Sequence, residues 1–210
     1  MPTAQPPPQT TIGPPPPHRL FRGFLDEATL AALLEHALAN QARFQASAVY
    51  DGAHDPARRA SLSLRDLGPV ADDLRDRITA ILPDLFTELG TPAFPRPRLE
   101  FELAAYGDGA RFGRHLDTRL GDGASHGSVR MISTVFYFFA QPKAFSGGAL
   151  RLYRFGATEG GDGYTDVEVE NNLLLAFPSW APHEVTPVAC PSGRFEDSRF
   201  ALNCWIHRRG

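Results

Sequence analysis

Three residues of the 210-residue chain have the types and spacing of a metal site. His115 and Asp117 stand two apart in Arg111-Phe-Gly-Arg-His115-Leu-Asp117, so on an extended backbone both side chains project to one face. His183 stands at the start of an expected strand, in Trp180-Ala-Pro-His183-Glu-Val185. Two histidines and one carboxylate on one face of a metal leave its other positions open, which is the facial triad used for non-haem Fe(II). Those positions are needed where a co-substrate and O2 must both bind iron directly. The pair His115-Leu-Asp117 alone carries little weight, because a surface histidine bonded to a nearby aspartate has the same sequence.

A third element changes the balance. In Ser198–His207, alternation puts Arg199, Asn203 and Trp205 on one face and Phe200, Leu202, Cys204 and Ile206 on the other. Both faces read as largely buried. A buried arginine requires an anionic partner, since an unpaired buried charge is very costly. A small dicarboxylate suits its forked donors. In the strand Arg130–Phe139, Ser133 and Tyr137 share a face at spacing four. A hydroxyl and a phenol inside an apolar strand need hydrogen-bond partners. For Ser133, a satisfied core hydroxyl and a ligand contact fit equally.

These residues must be positioned by a scaffold, and the chain has the means to build one. Hydrophobic residues make up 42% and charged residues 21%, enough for a core in one domain. The net charge of -3 gives no strong positive field, so no nucleic-acid partner is expected. No stretch approaches the roughly 20 apolar residues of a membrane helix. Met1–Gly13 has no basic region followed by an apolar run, and two cysteines make no disulfide framework; a cytoplasmic protein is expected. Residues 1–17 hold eight of the 19 prolines and read as a disordered, solvated tail. Residues 18–210 then form one domain, with a helical support region at 18–97 and a strand-rich core at 98–208.

Within the support region, His18–Phe24 reads as a strand. Asp26 caps an amphipathic helix to Asn40 that presents Leu30, Leu33, Leu34, Ala37 and Leu38. Ala42–Tyr50 reads as a strand and Asp51–Asp66 as a polar loop. A second helix opens near Pro69, and Pro83 should kink or restart it. After Gly90 strands are expected at Arg98–Tyr106, Val129–Phe139, Ala149–Phe155, Thr165–Glu170, Leu173–Phe177, Glu184–Val188 and Ser198–His207. Many short strands with two helices outside one sheet predict an antiparallel sandwich or barrel.

Taken together, His115-Leu-Asp117, His183, Arg199, Tyr106, Phe112, the strand Arg130–Tyr137, Gly147-Gly-Ala-Leu-Arg-Leu152 and Trp205 resemble the Fe(II)- and 2-oxoglutarate-dependent dioxygenases, in their prolyl 4-hydroxylase-like branch. The resemblance covers roughly residues 98–207. It implies a mainly β fold with flanking helices, a double-stranded β-helix or jelly roll. It also implies iron ligation by His115, Asp117 and His183. Arg199 would bind the far carboxylate of 2-oxoglutarate, with Tyr137, Ser133 and Tyr106 around it. His183 and Arg199 are sixteen positions apart, longer than the prolyl hydroxylase spacing, so Arg194 in the intervening loop is an alternative; Arg199 is preferred because it continues a strand into Trp205. The segment Arg199–His207 does not match the Arg-X-Asn-X-Thr-X-Arg ending of the alkylation-repair branch.

The chemistry implied by the resemblance is hydroxylation of an unactivated C–H bond, coupled to decarboxylation of 2-oxoglutarate to succinate and CO2, with ascorbate as an accessory reductant. The presence of Asp117 favours hydroxylation over halogenation, because the related halogenases lack that ligand. The expected substrate is a prolyl or other residue of a protein or peptide; a free amino acid or small metabolite is the alternative, and a non-catalytic cupin-like module the second. Thr118–Ser128, which includes Arg119, is glycine-rich and reads as a lid over the mouth, with Arg58–Ser63, hence Arg59 and Ser61, as another wall.

Overall fold

The computed structural model describes residues 13–48, 54–118, 128–157 and 163–209. Most of the expected lid, Arg119 included, and residues 1–12 of the expected tail lie outside them. Strand β1 (Arg19–Arg22) leads into helix α1 (Glu27–Ala39), where Asp26 caps the first turn by accepting a hydrogen bond from the Thr29 amide at 2.9 Å. Leu33 and Ala37 are buried on the inner face of α1. Helix α2 (Ala71–Glu88) buries Leu74, Ile78, Leu82 and Leu85. The expected restart at Pro83 does not occur, and the helix runs through it. Pro83 and Thr79, whose carbonyl loses its partner, both face solvent. Buried residues on either side of Pro83 hold the helix in one piece.

The expected strand at Ala42–Tyr50 shrinks to β2 (Gln45–Ala46), preceded by a 3-10 turn at Gln41–Arg43. Part of the expected loop 51–66 is a strand, β3 (Leu62–Leu64). It forms because it pairs with the distant strand β4 (Arg98–Tyr106), matching Leu62 to Ala105 and Leu64 to Leu103. No local pattern signals such a partner. Gly13–Pro17, assigned to the tail from sequence, lies against the domain: Gly13 N donates to Phe155 O at 2.9 Å and Pro16 is buried.

The remaining strands are β5 (Phe112–His115), β6 (Ser128–Phe138), β7 (Ser146–Gly147), β8 (Leu150–Tyr153), β9 (Tyr164–Val167), β10 (Leu173–Pro178), β11 (His183–Val185), β12 (Val188–Ala189) and β13 (Arg199–Arg209). They form a seven-stranded sheet ordered β1-β10-β6-β13-β4-β3-β2, a four-stranded sheet ordered β5-β11-β8-β9, and the pair β12-β7. Among the described residues every strand pairing is antiparallel. The two larger sheets close on an apolar interior to which Tyr137, Leu175 and Phe177 contribute from one and Leu150, Leu152 and Val185 from the other. This is the expected jelly roll, with the helices outside the large sheet.

Strand β13 shows how the pattern sets the register. Phe200, Leu202, Cys204 and Ile206 join α1 and α2 in the outer core, while Ala201 faces the interior. Each large apolar side chain buried this way contributes about 1.5–3 kcal/mol. A one-residue slip would drive Arg199 into the helical layer and turn four apolar side chains inward, so the strand is held in one register.

Candidate metal and co-substrate site

His115 ends β5 and His183 begins β11, and the antiparallel pairing sets them directly opposite each other. Their rings lie 4.1 Å apart between centroids. Asp117 follows two residues after His115, in a turn held by the Asp117 and Thr118 amides, which both donate to Ser179 O at 3.0 Å. Its carboxylate sits 3.8 Å from His115 Nε2 and 3.6 Å from His183 Nε2. One ligand atom from each of the three lies within 4.8 Å of the others, and all three side chains are buried. These residues could hold a single metal ion.

Local bonds orient the donors. His115 Nδ1 lies 2.8 Å from Gly113 O, and His183 Nδ1 lies 2.9 Å from Ala181 O. A carbonyl only accepts, so both Nδ1 atoms donate, which leaves each Nε2 as the ring atom available to a metal. Phe112 stacks on His115 at 3.6 Å, and Phe177 meets His183 edge-on at 4.8 Å. Burial, with His183 close by, pushes the His115 imidazole well below its ordinary pKa. Burial opposes ionisation of Asp117, yet the two histidines, Arg130 and a hydrogen bond from Ser133 hold its carboxyl below the ordinary range. A neutral imidazole beside an ionised carboxylate is the protonation state a divalent cation needs.

Arg199 lies at the far end of the interior and is fully buried. Its guanidinium carbon is 4.7 Å from the Tyr106 ring centroid and 4.9 Å from that of Tyr137. Nε donates to Gly148 O at 2.8 Å. Arg199 Nη1 and Nη2 and the Tyr137 hydroxyl are buried with no hydrogen-bond partner among the described residues. Burial pushes the Tyr137 phenol up to about 12, so it stays a donor. Arg194, the alternative, is exposed and pairs with Asp197 at 2.8 Å. It has its anion already and lies on the surface.

Other expected residues have different positions. Ser133 does not reach the Arg199 end: it donates to Asp117 Oδ2 at 2.6 Å and meets Ser179 Oγ at 2.8 Å. Four residues along a strand span about 13 Å, so Ser133 and Tyr137 lie at opposite ends of the interior despite sharing a face. Arg59 does line the cavity, with its guanidinium 4.8 Å over Phe112. Ser61 is set behind it, 3.2 Å from Arg59 Nε. Thr118 donates its hydroxyl to Arg130 O at 3.0 Å, closing the turn after Asp117.

Four contributions escaped the sequence reading. Glu102 pairs with the buried Arg59 at 2.7 Å, and its one signal was a carboxylate inside an apolar strand. Arg130 stacks on Trp205 at 3.9 Å and reaches within 4.0 Å of Asp117. Ser179 and Gly148 act through backbone geometry that no spacing rule reveals. A cavity of about 900 Å3 opens at the histidine-aspartate cluster between Arg59, Phe112, Arg130 and Trp205. A narrower cleft runs on from the cluster to Tyr106 and Arg199.

A jelly roll with this cluster at one end of its interior and a buried arginine with unpartnered donors at the other offers a site for a metal and one for a small anion. Residues 101–207 match the family described as the 2OG-Fe(II) oxygenase superfamily, and the chain belongs to it. The family's cofactor is Fe(II) and its co-substrates are 2-oxoglutarate and O2. The residues present fit that set: two imidazoles and a carboxylate suit Fe(II), and three orphaned buried donors suit a carboxylate. An uncharacterized PKHD-type hydroxylase of Synechocystis is 36% identical over 140 residues, 65% of this chain and 45% of that protein. The chain thus spans less than half the length of the curated relatives it matches. The crystal structure of a Pseudomonas putida prolyl-4-hydroxylase aligns with TM-score 0.66 and 26% identity over 92% of this chain and 93% of that one. A Trichoplax adhaerens prolyl hydroxylase, in complex with a hypoxia inducible factor oxygen degradation domain peptide fragment, aligns with TM-score 0.68 and 18% identity over 91% and 83%. Among the described residues, no helix is long and apolar enough to cross a membrane.

Proposed function

We propose that this protein hydroxylates a prolyl or other residue of a protein or peptide, with His115, Asp117 and His183 holding Fe(II) and Arg199 and Tyr137 holding the far carboxylate of 2-oxoglutarate. The observation that carries the co-substrate reading is the set of three buried donors with no partner among the described residues, Arg199 Nη1 and Nη2 and Tyr137 Oη. Each such group costs about 1–3 kcal/mol until an acceptor arrives. The reaction supplied at the site is oxidative decarboxylation of the keto acid to succinate and CO2, with one oxygen atom of O2 entering a substrate C–H bond.

The chain's own groups position and exclude. Ser133 ties down one oxygen of Asp117, leaving the carboxylate to offer the metal the other. Phe112 and Phe177 shield the imidazoles from water. Tyr106 and Tyr137 flank the guanidinium, and Arg130 on Trp205 stands where a substrate would enter beside Asp117. The cavity of about 900 Å3 has room for a peptide segment beside the cluster. Residues 18–210 form one catalytic domain in this reading, with its jelly-roll core at 98–208 and Gly13–Pro17 lying against it. Cys190 and Cys204, both free thiols and buried, fit a cytoplasmic setting.

The test is anaerobic reconstitution with Fe(II) and 2-oxoglutarate, then admission of O2 with a peptide library and, separately, free amino acids. Succinate release above the uncoupled background, with a 16 Da gain on a prolyl peptide, is the expected result. Coupled turnover only with free amino acids or metabolites would overturn the peptide assignment.

A further inference from the structure

We infer that Gly148 is a positioning residue for the co-substrate: its carbonyl and its missing Cβ hold Arg199 in the pose that turns both terminal nitrogens to the cleft. This rests on the reading of Arg199 as the anchor of 2-oxoglutarate. A long arginine side chain has many rotamers, and the two tyrosine rings limit it only from its faces. What fixes rotation within the guanidinium plane is the bond from Nε to Gly148 O at 2.8 Å. With Nε engaged behind, Nη1 and Nη2 are left as the forward-facing fork.

The same glycine makes the slot in which the side chain lies. An ideal Cβ on Gly148 would stand 2.6 Å from Arg199 Cδ, 3.0 Å from Arg199 Nε and 2.9 Å from Val188 Cγ2. Neither neighbour has room to yield: Arg199 is fully buried between rings, and Val188 is buried on β12. The adjoining Gly147 has a different duty. Both glycines have left-handed backbone, with φ of 69° at Gly147 and 72° at Gly148. A Cβ on Gly147 would meet Pro187 O at 2.4 Å and does not touch Arg199. Gly147 therefore serves the pairing of β7 with β12, beside Pro187 O, and not the Arg199 slot. A turn needs the positive φ; it does not need a bare α-carbon pressed against a buried charged side chain.

The two glycines form a matched pair for experiment. Wild type, Gly148→Ala, Gly147→Ala and Arg199→Met are loaded with Zn(II), which is redox-inert and diamagnetic. Each is titrated with Zn(II) and with 2-oxoglutarate by calorimetry, and the arginine Nε–H signals are followed by NMR. Gly148→Ala is expected to weaken 2-oxoglutarate binding at least tenfold with Zn(II) affinity within twofold. It should also shift the Nε–H signal of Arg199, identified by its loss in Arg199→Met. Gly147→Ala, strained at the adjacent left-handed position, should keep 2-oxoglutarate affinity within threefold. Equal losses in the two alanine variants, or wild-type affinity in Gly148→Ala, would overturn the inference. If Gly148→Ala does not fold, the wild-type Nε–H decides: it must be protected from solvent exchange before 2-oxoglutarate is added, and rapid exchange there refutes the role. Failure of the anchor reading has a separate signature, namely Arg199→Met binding 2-oxoglutarate as wild type does.

Discussion

Replacing Arg199 with Met separates a co-substrate anchor from a structural arginine, because the two roles predict opposite responses to ligand. Without 2-oxoglutarate the wild-type guanidinium buries two nitrogens that have no partner among the described residues. Removing them relieves about 2–6 kcal/mol at about 1–3 kcal/mol each. The same change loses the bond to Gly148 O, about 1.5–3 kcal/mol for a charged donor. It also loses contact with two tyrosine faces, about 2–4 kcal/mol together at a desolvated site. The terms nearly cancel, so the variant should melt within a few degrees of wild type. With 2-oxoglutarate at 100 times its dissociation constant, wild type gains about 2.7 kcal/mol. At about 2–4 °C per kcal/mol for a chain of this size, that raises its melting temperature by about 5–11 °C. Loss of a desolvated charge pair costs about 2–5 kcal/mol, about 30-fold or more in affinity. At the same ligand concentration Arg199→Met therefore gains less than about 0.9 kcal/mol. The assay is thermal unfolding of the Zn(II)-loaded protein with and without 2-oxoglutarate. A variant that collapses without ligand, or that keeps the wild-type ligand shift, would refute the anchor role.

Ser133→Ala should lower metal affinity about 10–100-fold, because Asp117 loses the bond that orients it; an unchanged Zn(II) titration would show that the turn alone holds the carboxylate. Glu102→Leu leaves Arg59 buried without its carboxylate and should cost about 3–5 kcal/mol in urea unfolding. Adding Arg59→Met to that variant should restore most of the loss, and a single-variant cost under about 1 kcal/mol would contradict the pairing. Stability should also fall in acid through Glu100, whose carboxyl is held down at about 2, first by the hydrogen bond with His207 and then, against the opposing effect of burial, by Arg130. A carboxyl lower in the folded state than its ordinary 4.5 contributes stability above that value and loses it as pH falls toward about 2. The urea midpoint of wild type should therefore drop between pH 5 and pH 3 more steeply than that of Glu100→Gln, and parallel curves would exclude the effect.

Much of this protein was legible in the residues alone, for reasons of period and chemical type. Strand β4 fell at Arg98–Tyr106 as expected, and α1 began after Asp26, because alternation and an N-cap are local signals. The two faces of β13 also followed from alternation. Arg199 could be singled out because a guanidinium on a strand buried on both faces must find an anion. What adjacency in sequence could not supply was pairing between distant segments. Strand β3 looked like polar loop because its partner lies about 40 residues on, in β4, and β5 owes its place to His183. Only the folded chain could decide that Ser133 serves Asp117 while Tyr137 serves the Arg199 end, since a shared face says nothing about which end of a strand meets which ligand. The same holds for Glu102 under Arg59 and for Gly148 behind Arg199. A hydrogen bond or a steric slot depends on distances of a few tenths of an ångström between elements, and those are set by how the sheets close around their core.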